Sequence, residues 1–552
     1  MAQAMEIWNQ KSIFLKHWDY QSTLGLDSVI IPASIFYGIT HNIFLAYGIA
    51  DCLGVLLYIY IFRDIFKMLQ LPKLVRMIVY VLLLTPYSLE PLGYMPMMFT
   101  GAAYYIIKVL IPIMLIDILL KIRLGIPVRR YLHILITYFA AVYLTALSCG
   151  LYLLICGLFP IILYELFTVI CSGSFKNFLS KNTLLLSASL VIYGLGYASA
   201  KIYGADIFTN EMVLTTAENF VNNFAKCIVG IAELFGALPN QKIVVTSAFG
   251  IHYLSHMAGV TTEGGLRIAL GVLFGAAFLL FVIILIATIK TVHPLSGLLK
   301  NGQTDSTVQT VAGMVCCIIA VNLAVLILTD TTYGSETFEF RYHLIPVVSG
   351  FLVVGIGIGG LVAWLKAHPN PLIFTSAMAL IAIIWLLCNI VFYYYYTSRN
   401  NYETSTAITG YVQEHSDCDL VYFIGDSDSE IIEVARIARL LENRLNIIDG
   451  ISVGSFLGWG ASRTYYDPME TFDKVIIVCT DETYDSIEPY YRRGMTKLGT
   501  VDDYTLYELI HILSPEEYEK EQENEEDILS EDESASDDEG NTISGNDTDT
   551  EY

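Results

Sequence analysis

Two basic side chains interrupt long apolar segments of the sequence. Lys108 lies within FTGAAYYIIKVLIP, and Arg341 opens the segment FEFRYHLIP. Charges at membrane depth are costly and are typical of functional sites. If both residues lie towards the same surface, they can act as fixed cations that bind the phosphate of a lipid-linked substrate. Two simpler interpretations stay open: Lys108 extends its amine to water, and Arg341 is an ordinary interfacial anchor.

Three carboxylates, Asp19, Asp27 and Glu90, are predicted on the same side of the membrane as these cations. A group that deprotonates an acceptor hydroxyl must lie on the face where the acceptor is. Taken alone, each of the three is a solvated surface acid, but their location beside two cations favours a catalytic role. Asp51, near the start of the first long apolar run, is a further charge at membrane depth.

Other polar patterns are weaker. Asp117 and Glu165 lie towards the ends of their apolar segments, where basic loops can neutralise them. His252 and His256 are four residues apart, so a helix would place both on one face, a spacing that can hold a metal. Because no third ligand is evident, two surface histidines are the default, and a divalent cation is only a candidate cofactor. GDSDSE (425–430) is best interpreted as a strand-to-helix turn with an N-cap rather than an esterase motif.

The composition is that of a membrane protein with many spans. Of the 552 residues 55% are hydrophobic and only 15% are charged, whereas soluble proteins are about 25% charged. The net charge of −23 argues against nucleic acid as a partner. Much of that charge lies after residue 514, and the acidic tail 514–552 is expected to be disordered.

About ten long apolar runs are expected to be transmembrane helices, because open strands cannot satisfy their backbone in lipid. Their predicted bounds are Ile43–Phe62, Met77–Ser88, Met97–Leu120, Tyr131–Cys149, Leu151–Cys171, Thr183–Ala200, Ile268–Ile289, Thr310–Thr329, His343–Leu365 and Leu372–Tyr396. The two runs that flank Gly150 could instead be one kinked helix.

Loop charge predicts the orientation in a cell (plasma) membrane. Alternate loops, such as KIRLGIPVRR and KAHPNP, are rich in Lys and Arg and are assigned to the cytoplasm. This places residues 1–42 outside as interfacial helices that lie on or dip into the membrane surface, followed by a helical bundle at 43–400. The long outer loop at 201–267 contains an amphipathic helix, Glu211–Phe235, that suits the interface.

The pattern changes after residue 400, where short β-branched runs replace the long apolar ones. DLVYFIG, KVIIVCTDE, Asn446–Asp449 and Tyr504–Ile510 are predicted strands, and Ser429–Asn443 is a predicted helix. Residues 401–513 are therefore expected to form a small extracytoplasmic α/β domain.

The order of these features resembles the GT-C membrane glycosyltransferases, the class that contains protein mannosyltransferases and aminoarabinose transferases. The local matches are WDYQSTLGLDS, the AAYYIIK helix and FRYHLIP, which is similar to an R-Y-x-x-P pattern but one residue longer. VIIVCTDETYDS and KLGTVDDYTLYEL are similar to bacterial members. The resemblance extends over most of residues 1–512.

The resemblance implies transfer of a sugar from a polyprenyl-phosphate donor to a cell-envelope acceptor at the outer face. Lys108 and Arg341 would hold the donor phosphate, with Tyr105, Tyr342 and Glu90 as further substrate-binding residues. A carboxylate would activate the acceptor hydroxyl, and direct displacement would invert the anomeric carbon.

The sequence departs from the family at its beginning. Members start with a span that is followed at once by the catalytic Asp, whereas this sequence starts at MAQAMEIWNQ, already outside by the predicted orientation. Asp27 or Asp19 could substitute as the base. Two alternatives therefore stay open: a degenerate, non-catalytic surface protein, and a transporter or flippase for a lipid-linked or small polar solute.

Overall fold

The computed structural model describes most of the chain in two separate units. The described residues are 2–15, 24–85, 94–100, 103–172, 180–203, 214–235, 262–294, 306–329, 340–367, single positions between 372 and 390, 403–414, 420–424, 446–449, 474–485, 487, 492 and 494–510. A larger helical unit extends to Arg399, and a smaller unit begins at Asn400.

The larger unit is built from helices. They are α1 (Ala2–Gln10), α2 (Ile30–Thr40), α3 (Ile43–Met68), α4 (Lys73–Leu83), α5 (Tyr94–Met98), α6 (Ile106–Arg123), α7 (Leu132–Cys149), α8 (Phe159–Ser172), α9 (Lys181–Tyr203), α10 (Ala217–Leu234), α11 (Thr262–Val292), α12 (Thr307–Leu328) and α13 (Leu344–Lys366). Short turns precede three of them: Val128–Arg130 before α7, a π-helical turn Leu154–Leu158 before α8, and Phe340–His343 before α13.

Within the described residues, seven helices are long and apolar enough to cross a membrane. Their spans are Ile43–Met68, Leu132–Cys149, Leu154–Cys171, Lys181–Ile202, Gly275–Val292, Thr307–Leu328 and Arg341–Lys366. Each overlaps a predicted span, so the polytopic membrane character is confirmed.

The other three predicted spans stay predictions. The second corresponds to α4, which has only 11 residues. The third corresponds to α6, which has 18 residues and four charged side chains. Most of the tenth, at 372–396, lies outside the described residues, as do the acidic tail, His252 and His256.

The chain reverses at Gly150, so the interpretation of one kinked helix is wrong. Gly150 has a positive φ of 57°, which ends α7. Tyr138 on α7 donates to Ser189 on α9, and Tyr143 donates to Ser199, at 2.8 and 3.1 Å. The contacting residues come later in α9 as they come later in α7, so the two helices run parallel. The chain must therefore return between them through α8.

α6 is the buried axis of the unit. From Ile106 to Lys121 every residue except Ile107 is buried, because α3, α7 and α13 pack around it. The start of α6 lies beside the middle of α3: a Cβ on Gly54 would be 3.1 Å from Ile106 Cδ1. Nearer the C-terminal ends of both helices, Lys121 of α6 forms an ion pair with Asp64 of α3. These two helices therefore also run parallel.

The predicted amphipathic helix of the outer loop is present as α10, over Ala217–Leu234. It packs on the end of α12, where the Asn223 side-chain amide donates to the carbonyls of Ile327 and Thr329, both at 3.3 Å. Phe220 and Phe224 are exposed. A helix with a bonded polar side and an exposed apolar side is suited to a membrane interface.

The smaller unit is a mixed sheet with short helices. Its elements are α14 (Glu403–Glu414), β1 (Leu420–Ile424), β2 (Asn446–Asp449), β3 (Val475–Cys479), α15 (Asp481–Tyr484), β4 (Met495–Val501) and β5 (Tyr504–Leu509). The strand order is β2-β1-β3-β5-β4, with β2, β1 and β3 parallel and the last two antiparallel.

All four predicted strands are present, and residues of β1, β3 and β5 form the buried centre of this sheet. Ile408 and Val412 of α14 cover Val421, Phe423 and Val478. The strand β4 and the helix α14 were not predicted, because MTKLGTV and ETSTAITGYVQE have no clear apolar period. The predicted helix Ser429–Asn443 lies outside the described residues.

Close packing of α7 against α9 depends on Gly196. A Cβ there would be 2.5 Å from the Tyr143 carbonyl oxygen, whereas at Gly194 it would meet nothing within 4 Å. We expect Gly196→Ala to cost about 1–3 kcal/mol through overpacking. Gly194→Ala is the matched control and should be neutral or stabilising, because alanine favours helix. Thermal unfolding in detergent, followed by size-exclusion chromatography, measures both. Equal midpoints would contradict the close α7–α9 contact.

Candidate functional site

The candidate site is built on a buried ion pair between Asp27 and Lys108. The Lys108 amine lies 2.9 Å from Asp27 Oδ2, and only 9% and 1% of the two side chains are exposed. Lys108 is in the first turn of α6 and also donates to the Tyr104 carbonyl at 3.3 Å. Its amine lies 4.7 Å from the centre of the Tyr105 ring, a cation–π distance.

A tight turn before α2 fixes the position of Asp27. Gly25 has a φ of 66°, which a residue with a Cβ rarely adopts. The Ser28 hydroxyl donates to the Gly25 carbonyl at 2.9 Å, and the Leu26 amide donates to Ser148 of α7 at 3.0 Å. The Gln3 side chain of α1 donates to the Leu24 carbonyl at 2.6 Å. The carboxylate is therefore held by contacts from two helices.

Two further side chains at this site were not predicted. The thiol of Cys149, at the end of α7, interacts electrostatically with Asp27 and Lys108. The phenol of Tyr152 interacts with Cys149, Tyr105 and Tyr342. Neither residue has a signal in the sequence, since a thiol and a phenol in apolar segments are ordinary core residues.

Aromatic rings connect this pair to Arg341. The rings of Tyr152 and Tyr342 lie 5.9 Å apart in an edge-to-face arrangement, and the Arg341 guanidinium lies 5.3 Å from the Tyr342 ring centre. Tyr342 and Arg341 belong to the turn Phe340–His343, which leads into α13. These contacts form a continuous series at one end of the bundle, which consists of Lys108, Tyr105, Tyr152, Tyr342 and Arg341.

The structure decides two of the alternatives left open by the sequence. Lys108 does not extend its amine to water, and Asp27 is not a solvated surface acid, because they are buried against each other. Asp19 and Glu90 lie outside the described residues. Asp51 lies three residues before Gly54 on α3 and has a buried carboxylate oxygen, but it was not predicted as a site residue.

The sequence assigns Lys108 and Asp27 to two separate roles, a phosphate-binding cation and a base. In the structure they form one ion pair, in which each charge neutralises the other. Arg341 lies further along the series, beside the ring of Tyr342.

A second charged layer lies at the opposite end of α6. Lys121 bridges Asp117 and Asp64 at 2.6 and 2.9 Å, and Arg123 pairs with Glu165. Asn182 also donates to Glu165, at 3.1 Å. Asp117 and Glu165 thus meet basic residues, as expected, and hold α3, α6 and α8 together.

The described residues contain no cluster of three or more His, Cys, Asp or Glu side chains that could hold a metal ion. The divalent cation considered from the sequence has no set of ligands in this part of the chain.

The ion pair predicts a characteristic stability pattern. Lys108→Met and Asp27→Asn each leave one charge buried and alone, which costs about 3–5 kcal/mol. The double variant removes both charges, so its loss should be smaller than the sum by about 0.5–3 kcal/mol. Thermal unfolding in detergent measures this coupling.

The surface pair Arg492–Asp485, at 3.7 Å with an exposed aspartate, is the control for that cycle. The same double-variant cycle there should show coupling of only about 0–1 kcal/mol. Simple additivity at Asp27 and Lys108 would show that they do not form a pair in the folded protein.

No family model, curated protein or solved structure matches this chain. The resemblance to GT-C glycosyltransferases therefore stays a prediction, and the geometry of the site carries the functional argument.

Proposed function

We propose that this protein is a membrane glycosyltransferase that moves a sugar from a polyprenyl-phosphate donor to a hydroxyl of a cell-envelope acceptor. The observation that carries the proposal is the buried Asp27–Lys108 pair, which a series of aromatic rings connects to Arg341. By loop charge, this end of the bundle faces outwards from the plasma membrane.

Stability alone does not account for the pair. Taking two charges out of water costs several kcal/mol for each ion, and apolar residues of similar volume are often as stabilising. The second charged layer has an ordinary explanation, because it lies at the ends of helices beside basic loops. Asp27 and Lys108 lie at the other end of α6, where predicted loops are poor in Lys and Arg.

The side chains of this series have the chemistry to bind a lipid-linked phosphate. The planar guanidinium of Arg341 can bind two phosphate oxygens at once, and Lys108 would add a second positive charge. The rings of Tyr105, Tyr152 and Tyr342 offer flat apolar surfaces to a sugar or an isoprenoid chain. When phosphate engages Lys108, Asp27 loses part of its counter-charge and becomes a better proton acceptor.

The reaction would be a single displacement. The acceptor oxygen forms a bond to the anomeric carbon while the bond from that carbon to the phosphate oxygen breaks. Asp27 takes the proton of the acceptor hydroxyl, and polyprenyl phosphate leaves with the electron pair, held by Lys108 and Arg341. The anomeric configuration inverts.

One observation favours a non-catalytic alternative. Since Asp27 already neutralises Lys108, the pair could serve only to fix the turn before α2 against α6 and α7. A degenerate relative of an enzyme would keep such a contact without turnover.

Reconstitution distinguishes these functions. The purified full chain in liposomes receives undecaprenyl-phosphate mannose or undecaprenyl-phosphate aminoarabinose, together with isolated cell-envelope material. We expect release of undecaprenyl phosphate, detected by mass spectrometry, that requires both the protein and the acceptor. Movement of donor across the bilayer without release would favour the flippase instead. Neither release nor movement, with protein of normal stability, would overturn the enzyme.

Variants of the two cations should separate catalysis from folding. We expect Arg341→Gln and Lys108→Met each to lower turnover about 100-fold or more, the scale for losing a group that stabilises charge in the transition state. Lys108→Arg keeps the charge and should retain part of the activity. Arg130→Gln, on the exposed turn before α7, is the surface control and should leave turnover unchanged.

Lys121→Met is the matched control for burial, because Lys121 is also paired with aspartates on the same helix. It should lower stability as Lys108→Met does but spare turnover per folded molecule. If Lys108→Met and Lys121→Met reduced turnover only in proportion to lost protein, the role of Lys108 would be structural.

A further inference from the structure

The free face of α2 is apolar. Ile35 is 53% exposed and Ile39 is 70% exposed, and the sequence IIPASIFYGIT contains no charged residue. Leu45 and Leu53 on the adjoining part of α3 are exposed as well. A helix that lies on a membrane surface keeps a charged or strongly polar face in water. In the sequence of α10 that face is present (AENFVNNFAKC), whereas α2 has none.

α2 and the first half of α3 form an antiparallel hairpin. Only His41 and Asn42 separate them, with His41 left-handed and the Asn42 side chain accepting from the Leu45 amide at 2.9 Å. At the other end of α2, Val29 lies beside Gly54: a Cβ on Gly54 would be 3.7 Å from Val29 Cγ1. α2 has 11 residues, which is about 16 Å of helix.

The turn of this hairpin carries the residues typical of a membrane interface. Trp8 of α1 packs on Gly38, where a Cβ would be 2.3 Å from its ring. The Lys11 amine lies 3.0 Å from the Trp8 ring centre, and His41 and Asn42 are exposed. Tryptophan beside lysine and polar residues is characteristic of the boundary between hydrocarbon and water.

The distances along α3 and α6 fit the thickness of a membrane. Lys108 and Lys121 are thirteen residues apart on α6, which is about 20 Å of helix and less than the hydrocarbon thickness of about 30 Å. The hairpin continues for about 16 Å beyond the level of Gly54. The two lengths together are about 36 Å, enough to extend from one charged layer to the opposite interface.

We propose that α2 is embedded in the membrane beside the first half of the spanning helix α3, and that the acyl chains of one leaflet cover the exposed face of this hairpin. Asp27 and Lys108 then lie within the hydrocarbon depth, about 16 Å of helix below the polar turn at His41 and Asn42. Of the two arrangements expected for residues 1–42, lying on the membrane surface or dipping into it, the proposal selects the second for α2. The inference holds whatever reaction the site performs.

Spin-label depth measurements test the hairpin in the full chain. Ile35, Ile39, Leu45 and Leu53 are replaced singly by cysteine in a background without native cysteines, labelled with nitroxide and reconstituted in phosphatidylcholine–phosphatidylglycerol liposomes. Collision rates with oxygen, which concentrates in lipid, and with a water-soluble nickel complex give the depth of each label. Val191 on α9, exposed within a candidate span, is the lipid control, and Glu403 on α14 is the water control.

A membrane-embedded hairpin predicts that the four labels lie at graded depths in the membrane. Ile39 and Leu45 should be equally shallow, Ile35 about 6 Å of helix deeper than Ile39, and Leu53 deepest. Oxygen collisions should dominate at all four positions, as at Val191. Equal depth at Ile35 and Ile39 would mean that α2 lies along the surface. Nickel collisions as frequent as at Glu403 would mean that water faces it, and low collision rates with both reagents would mean that another protein or a second copy covers it. Each of these results overturns the proposal.

The removal of native cysteines is checked first by size-exclusion chromatography. If that background does not fold, a genetically encoded fluorescent amino acid at Ile35 and Ile39 in the native sequence replaces the nitroxide. Lipids brominated at different carbons then quench it by depth. Stronger quenching by deeper bromines at Ile35 than at Ile39 is expected, and equal profiles would again overturn the proposal.

Discussion

The contact between Asp27 and Lys108 organises one end of the helical unit. Neither charge can be left alone in a medium without water, so the turn before α2 must stay beside the first turn of α6. That requirement explains the neighbouring details: the left-handed Gly25, the Ser28 hydroxyl on its carbonyl, and the Ser148 hydroxyl that accepts the Leu26 amide. One electrostatic pair thereby ties a short helix to two long ones.

The unit has two charged layers separated by an apolar middle. The layer around Lys121 joins α3, α6 and α8 by carboxylates that meet Lys and Arg, and these residues lie next to basic loops. The layer around Lys108 continues through Tyr105, Tyr152 and Tyr342 to Arg341. The proposed chemistry is therefore placed at the layer around Lys108, where charge and aromatic surface converge.

The pairing also limits the proposed mechanism. An amine neutralised by a carboxylate binds phosphate only if that carboxylate moves away, so in the proposed reaction donor binding and the activation of Asp27 would be one event rather than two. Cys149 interacts with both charges of the pair, and Tyr152 interacts with Cys149, so a change of partner at Lys108 would alter the electrostatic environment of both. If α2 is embedded in the membrane, the proposed exchange would take place in a medium of low dielectric constant, where each contact with a charge has a larger effect.

The sequence by itself determined the membrane character, the location of seven spans, the amphipathic α10 and the four strands that were predicted, because hydropathy and periodicity are local properties of a segment. It also singled out Asp27, Lys108, Tyr105, Arg341 and Tyr342. Only the tertiary structure decided that Asp27 neutralises Lys108, that the chain reverses at Gly150 and that Cys149 and Tyr152 belong to the same cluster. Those facts depend on which helices are neighbours, and helix neighbours are fixed by packing between residues that are far apart in the chain.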